Sequence, residues 1–177
     1  MMKRTLSRFP VYVLWALAAF VLWSWVFGFL TDTSPEKKLT LYISADEVQD
    51  VELAALLEDG GLPEGIRMVK VHPFSYAMFG ETDLLSADLY IVRASEAEEW
   101  RDSFRPLPAG IRGDLELEGG VSGVRVYDAQ TGSGVYDGLI GYDPAEDFCL
   151  FFGANSAHKD DGAALWLAKQ ILNAQNN

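Results

Sequence analysis

The chain has 177 residues, enough for one ordinary domain, with 14 Lys and Arg against 26 Asp and Glu and a net charge of −12. Lys3, Arg4 and Arg8 precede an apolar run and every acidic residue follows it, so residues 31–177 carry 11 basic against 26 acidic side chains. Such a field repels phosphate backbones, which excludes nucleic-acid binding as the main role and a polybasic membrane-surface patch with it.

Residues 11–30 are uncharged, and only Ser24 and Gly28 depart from apolar and aromatic types. A helix of that length, rising about 1.5 Å per residue, spans roughly 30 Å, the hydrocarbon thickness of a bilayer. Pro10 suits the first turn, and Trp23 and Trp25 fall near the outer interface where indoles settle. The run exceeds the roughly 7–15 residues of a signal-peptide core, and residues 27–31 offer no small-x-small cleavage site, so an uncleaved anchor is expected. The basic residues before the span and Asp32 and Glu36 after it orient the N-terminus inward. The expected layout is a cytoplasmic stretch 1–10, a transmembrane helix 11–30, a tether 31–38 containing Pro35, and an extracytoplasmic domain 39–177. The protein is thus placed in the plasma membrane with a single pass.

Beyond the tether, residues 39–43 read as a buried strand, apolar and β-branched. Residues 46–58 read as a helix with Val48, Val51, Ala55 and Leu56 on its apolar stripe and Asp46 and Glu47 at its positive end. Residues 66–74 and 87–92 give two more strands. Ser95 with Glu98 three positions later forms a capping box that predicts a helix over 96–104, ended by Pro106 and Pro108. The Gly-rich stretch 110–141 has no helical period, and 124–127 with 135–136 predict a hairpin around the loop 129–134. Residues 148–152 make a continuous apolar strand, and 160–174 a last helix burying Ala164, Leu167, Ala168 and Ile171. This order predicts an α/β layer fold, a compact mixed-sheet domain behind the membrane helix.

In open α/β sheets ligands lie beyond the carboxyl ends of strands. Those ends are 44–46, 74–76, 93–95 and 155–156, and the candidate ligand-binding residues there are Ser44, Asp46, Ser75, Tyr76, Arg93 and Ser95. Phe74, Tyr76 and Phe79 are either one wall of a pocket or a cap on the core. No catalytic role is assigned. The carboxylate pairs Asp46/Glu47, Glu98/Glu99 and Asp160/Asp161 read as solvated surface in so acidic a domain. Gly132–Ser133–Gly134 lacks the Lys and the helix of a phosphate loop. A single cysteine, Cys149, excludes an internal disulfide and a Cys-based zinc cluster, and it reads as a small buried hydrophobe. His72 and His158 lack ligand spacing and read as surface or hydrogen-bonded histidines. No metal, cofactor or enzymatic activity is expected.

Three stretches together resemble bacterial extracytoplasmic solute-binding proteins of ABC importers. They are 39–44 with the acidic helix after it; 86–92 followed by Trp100 and 104–107; and 150–156 followed by the Ala-rich 163–168 and by Ile171 and Leu172. The resemblance implies the first lobe of a periplasmic-binding-protein fold of type 2, covering roughly residues 40–107 and 148–172. A full binding protein closes two lobes on its solute, whereas here residues 108–147 are too few for a second domain of roughly 100 residues. That Gly-rich stretch is expected to be a surface excursion. The expected function is a membrane-anchored interaction module that docks to a membrane partner, an ABC-type permease or a second copy of itself. A small-solute receptor or transport accessory is the alternative.

Overall fold

The computed structural model describes residues 9–31, 33–73 and 82–174. The chain divides into two compact units, Met1–Ser34 and Pro35–Asn177. The first unit contains helix α1, Phe9–Thr31, 23 residues long. Residues 11–25 are exposed on every side, so the helix has no polar face to turn toward water. Among the described residues no helix is long and apolar enough to cross a membrane.

The second unit is built on an eight-stranded mixed sheet. It contains β1 (Lys38–Ile43), β3 (Met68–Pro73), β4 (Leu89–Arg93), β5 (Phe104–Arg105), β6 (Leu115–Glu116), β7 (Ser122–Asp128), β8 (Ser133–Gly134) and β10 (Phe148–Gly153). A separate two-stranded ribbon pairs β2 (Glu47–Val48) with β9 (Ile140–Gly141). The main order is β3-β1-β4-β10-β7-β6, with β5 beside β10 and β8 beside β7. β1 is parallel to both β3 and β4; β10 runs antiparallel to β4 and β7. All six residues of β1 and of β10 are buried; β10 is apolar throughout, while β1 also buries Lys38 and Thr40.

The two faces of the sheet are covered differently. One face carries Leu39, Leu41, Ile43, Leu150 and Phe152 and is packed by α2 (Asp50–Asp59) and α3 (Ala163–Ala174). The other carries Tyr42, Tyr90, Val92, Cys149 and Phe151 and meets Leu84, Ala97, Trp100, Phe104 and Val121 from turns and short segments. Phe104 stacks on Phe151 with ring centroids 4.3 Å apart. Aromatic rings fill on this face the volume that a helix fills on the other.

Three expectations are corrected. Residues 96–104 do not form an α-helix: the backbone closes through three-residue turns, with Glu99 N–H on the Glu96 carbonyl and Ser103 N–H on the Trp100 carbonyl, ending in the 3₁₀ turn Arg101–Ser103. The capping-box side chains are drawn to other partners, the Ser95 hydroxyl to Glu146 at 2.5 Å and Glu98 to Arg101 at 3.0 Å. The helix predicted from residue 46 starts at Asp50, because Glu47–Val48 pair with β9. It buries Leu53 and Leu57, while Val51 and Leu56 are 72% and 48% exposed. Finally, 108–147 is not a surface excursion. β7 is a full strand beside β10, and Val126, Val135 and Ile140 lie in the main core. The predicted hairpin is there, with Tyr127 opposite Gly134 and Asp128 opposite Ser133, but it is part of the sheet.

Candidate functional site

β1 leads through α2 to β3 on one side, while β4 lies on the other, so the strand order reverses between β1 and β4, and their carboxyl ends are where α/β sheets hold ligands. Four of the six predicted residues meet there: Ser44, Asp46, Arg93 and Ser95. The Arg93 guanidinium bonds Asp46 through Nη2 at 2.9 Å and Glu96 through Nη1 at 3.3 Å, and lies 5.7 Å above the Phe148 ring. The Ser44 hydroxyl, itself buried, donates to Glu96 Oε2 at 3.1 Å. Ser95 donates to Glu146. Burial works against the charge on Arg93, but the bond to Glu96 and the fields of Glu96 and Asp46 outweigh it and push its pKa up. Ser75 and Tyr76, with Phe74 and Phe79, lie outside the described residues.

Glu96 and Glu146 are the members that sequence reasoning missed. Each is one acidic residue among 26, and only the fold brings Glu96 between Ser44 and Arg93. The consequence is chemical: each described polar side chain of this cluster already has a partner inside the domain. An anionic ligand would have to displace two carboxylates from Arg93.

The fourth predicted strand end, 155–156, is elsewhere. Because β10 runs antiparallel, with Phe148 opposite Arg93 and Phe152 opposite Leu89, its carboxyl end lies at the amino ends of β1 and β4. There Ser156 enters a buried polar cluster. Asp88, 2% exposed, accepts the Thr40 N–H at 2.7 Å and the Ser156 hydroxyl at 2.5 Å. The same Ser156 oxygen accepts the His158 N–H at 2.9 Å. The His158 ring, also 2% exposed, faces Asp161 Oδ2 at 2.6 Å through Nδ1, and the carbonyls of Pro35 and Lys38 at 3.1 and 3.2 Å through Nε2.

The electrostatics follow. Burial raises the Asp88 carboxyl above its ordinary range, against the opposing pull of the Ser156 and Thr40 bonds and the His158 charge. Burial disfavours charge on His158, yet the Asp161 bond, the field of Asp88 and the Pro35 carbonyl together raise its pKa. Burial acts to raise Asp161, but the bonds from His158 and the Ala163 N–H hold it below the usual carboxylate value. Serine, histidine and aspartate here do not form a nucleophile relay: the Ser156 hydroxyl is bonded to Asp88, and both imidazole nitrogens are engaged elsewhere. The adjacent cavity, which Lys38, Thr40, His72 and Asp88 help to line, has about 20 Å³, room for one water and no organic solute. Cys149 is buried, its thiol pushed up to about 12 by that burial. Among the described residues no group of three or more His, Cys, Asp and Glu could hold a metal ion.

No protein family, no curated protein and no solved structure matches the chain.

Proposed function

We propose that the protein is a membrane-anchored extracytoplasmic interaction module, resembling a single lobe of a solute-binding protein, that docks to a membrane-embedded partner or to a second copy of itself. The observation that carries this reading is the self-satisfied cluster at the ends of β1 and β4, where Ser44, Asp46, Arg93 and Glu96 bond one another. A lone lobe leaves any solute half enclosed, whereas effective pockets bury roughly 70–90% of a small ligand. The anchor rests on the 23-residue helix α1, about 34 Å long at 1.5 Å per residue, and on its apolar circumference. The lobe reading is supported by three parallel strands followed by a fourth, β10, that returns between β4 and β7 just ahead of the Ala-rich helix α3.

The test is crosslinking in intact cells before extraction in mild detergent. A discrete crosslinked complex, either with a polytopic membrane protein or with a second copy, is expected. A chain that remains wholly monomeric and uncrosslinked overturns the reading.

The alternative, a small-solute receptor, is favoured by the linked Ser44, Asp46 and Arg93, with Ser95 following, at the carboxyl ends of β1 and β4. A thermal-shift panel of sugars, polyamines, amino acids and metal ions on the full-length chain separates the two, since binding to the folded state raises stability with ligand concentration. A saturable shift abolished by Arg93→Ala establishes the receptor; a flat panel removes it.

A further inference from the structure

His158 joins two parts of the chain that are 120 residues apart. Its loop follows β10, and Pro35 and Lys38 belong to the segment through which the chain leads from the helical unit into β1. Asp161 is an acceptor when ionised, and backbone carbonyls are acceptors always. The ring is thus flanked by acceptors at both nitrogens, and only the doubly protonated imidazolium can donate in both directions. A neutral ring with its proton on Nδ1 turns a lone pair toward two carbonyl oxygens. With its proton on Nε2 it turns a lone pair toward the Asp161 carboxylate. Either tautomer sets acceptor against acceptor in a buried position, so loss of the proton must open one side.

The carbonyl side has one firm anchor and one loose one. Lys38 is fixed by its pairing with Met68 in the sheet, and Lys37 by the Arg67 N–H at 2.8 Å. Pro35, at the start of the 3₁₀ turn Pro35–Lys37, is held by His158 at 3.1 Å. The charged and titratable groups around the ring are Asp161 in its own loop, Asp88 ahead of β4, and Lys38 and His72, which share with Asp88 the lining of the small cavity. The acidic neighbours favour the proton.

We propose that His158 is a proton-operated clasp: as an imidazolium it fastens the Pro35 carbonyl to the domain, and on deprotonation it releases Pro35 and Glu36, while Lys37 and Lys38 stay held by Arg67 and the sheet. The clasp closes at acidic pH and opens at alkaline pH. Histidine is the side chain whose charge changes in this range, and two carbonyls with one carboxylate are the partners that make the change structural.

The test uses the full-length chain in detergent micelles. Glu36 is exposed and Cys149 is buried, so a Glu36→Cys variant carries one reactive thiol for a spin label beside the clasp. NMR of the two histidine rings gives the His158 titration directly. The expected result is a ring still protonated at about pH 6.5 and a label that becomes mobile with the same midpoint. The ratio of mobile to immobile label should rise about tenfold, the weight of one charge-assisted hydrogen bond. With His158→Gln the label should be mobile at every pH. Should that variant misfold, Asp161→Asn serves instead: it should move the ring midpoint and the label midpoint down together. A His158 ring neutral at about pH 6, or a label indifferent to the ring's titration, overturns the proposal.

Discussion

The tightest packing in the domain is at single residues. Gly153 ends β10 against the start of β4, its N–H on the Asp88 carbonyl at 2.9 Å, and a Cβ there would stand 1.9 Å from the Ala87 carbonyl oxygen. Backbone cannot give way as a flexible side chain can. Gly153→Ala is expected to cost at least the 1–3 kcal/mol of ordinary overpacking, read as a lower denaturant midpoint at unchanged slope, roughly the cost of forcing one extra methyl into a filled core. A variant as stable as the parent would mean that β10 and β4 are not so close. The charged residues set the sign of stability against pH. His158 has a folded pKa above its ordinary 6.5, so its contribution is complete below that value and is lost as pH rises through the folded one. Asp88, also raised, works in the same direction at lower pH, while Asp161, lowered, gives stability that disappears on acidification. Urea midpoints should fall from about pH 6.5 upward in the parent and stay level in His158→Gln. A parent with no slope in that window refutes the buried imidazolium. Residue identity predicted little of this. Ser156 was legible as a turn serine and His158 as a surface or hydrogen-bonded histidine, of which the structure shows the second, but the partner Asp88 lies 68 residues away in sequence from Ser156, and no local pattern records such a pairing.

At the scale of elements, periodicity finds a helix more surely than it finds the helix's inner face. Val48, Val51, Ala55 and Leu56 make a plausible stripe, but Leu53 and Leu57, four apart, are the pair that reaches the sheet. The sequence offers both stripes because α2 is apolar on more than one side, and the pairing of Glu47–Val48 with β9 fixes which side turns inward. Leu53→Ala and Leu57→Ala should each cost roughly 2–5 kcal/mol, while Val51→Lys and Leu56→Lys should stay within about 0.5 kcal/mol. Calorimetry that reversed this order would restore the stripe first read from the sequence. The strands were legible where apolar and β-branched residues run together, as over 39–43 and 148–152, and the structure buries both stretches completely. By contrast, β7 was legible as one arm of a hairpin, but not as a strand of the main sheet, because glycines surround it. One of them, Gly123, is there for packing: a Cβ would meet the Phe151 ring at 2.4 Å. The capping box at Ser95 failed for a related reason, since Glu146 and Arg101 offer its side chains stronger partners than the local backbone.

On the scale of the whole molecule, the unequal charge of the chain is the property on which the proposed membrane placement can be tested. Three basic residues precede α1 and none of the 26 acidic residues does, so the net charge changes sign across the apolar helix. Basic residues flanking a span are retained on the cytoplasmic side, and acidic ones weigh little in that choice, so under the proposed anchoring Lys3, Arg4 and Arg8 would carry most of the orientation. Protease added to intact cells should therefore digest the domain and leave an N-terminal tag untouched. Replacing all three basic residues by Gln should leave a substantial fraction of chains with the domain protected, because the charge bias that favours the proposed orientation is then removed. The variant does not touch the unit Pro35–Asn177, so its denaturant midpoint should be unchanged, which separates a change of orientation from a change of fold. Complete protection of the parent's domain without permeabilisation refutes the outward orientation. A soluble parent, found free of membranes after carbonate washing, refutes the anchor itself, and the interaction proposal would then lose the membrane partner while keeping the self-associating one.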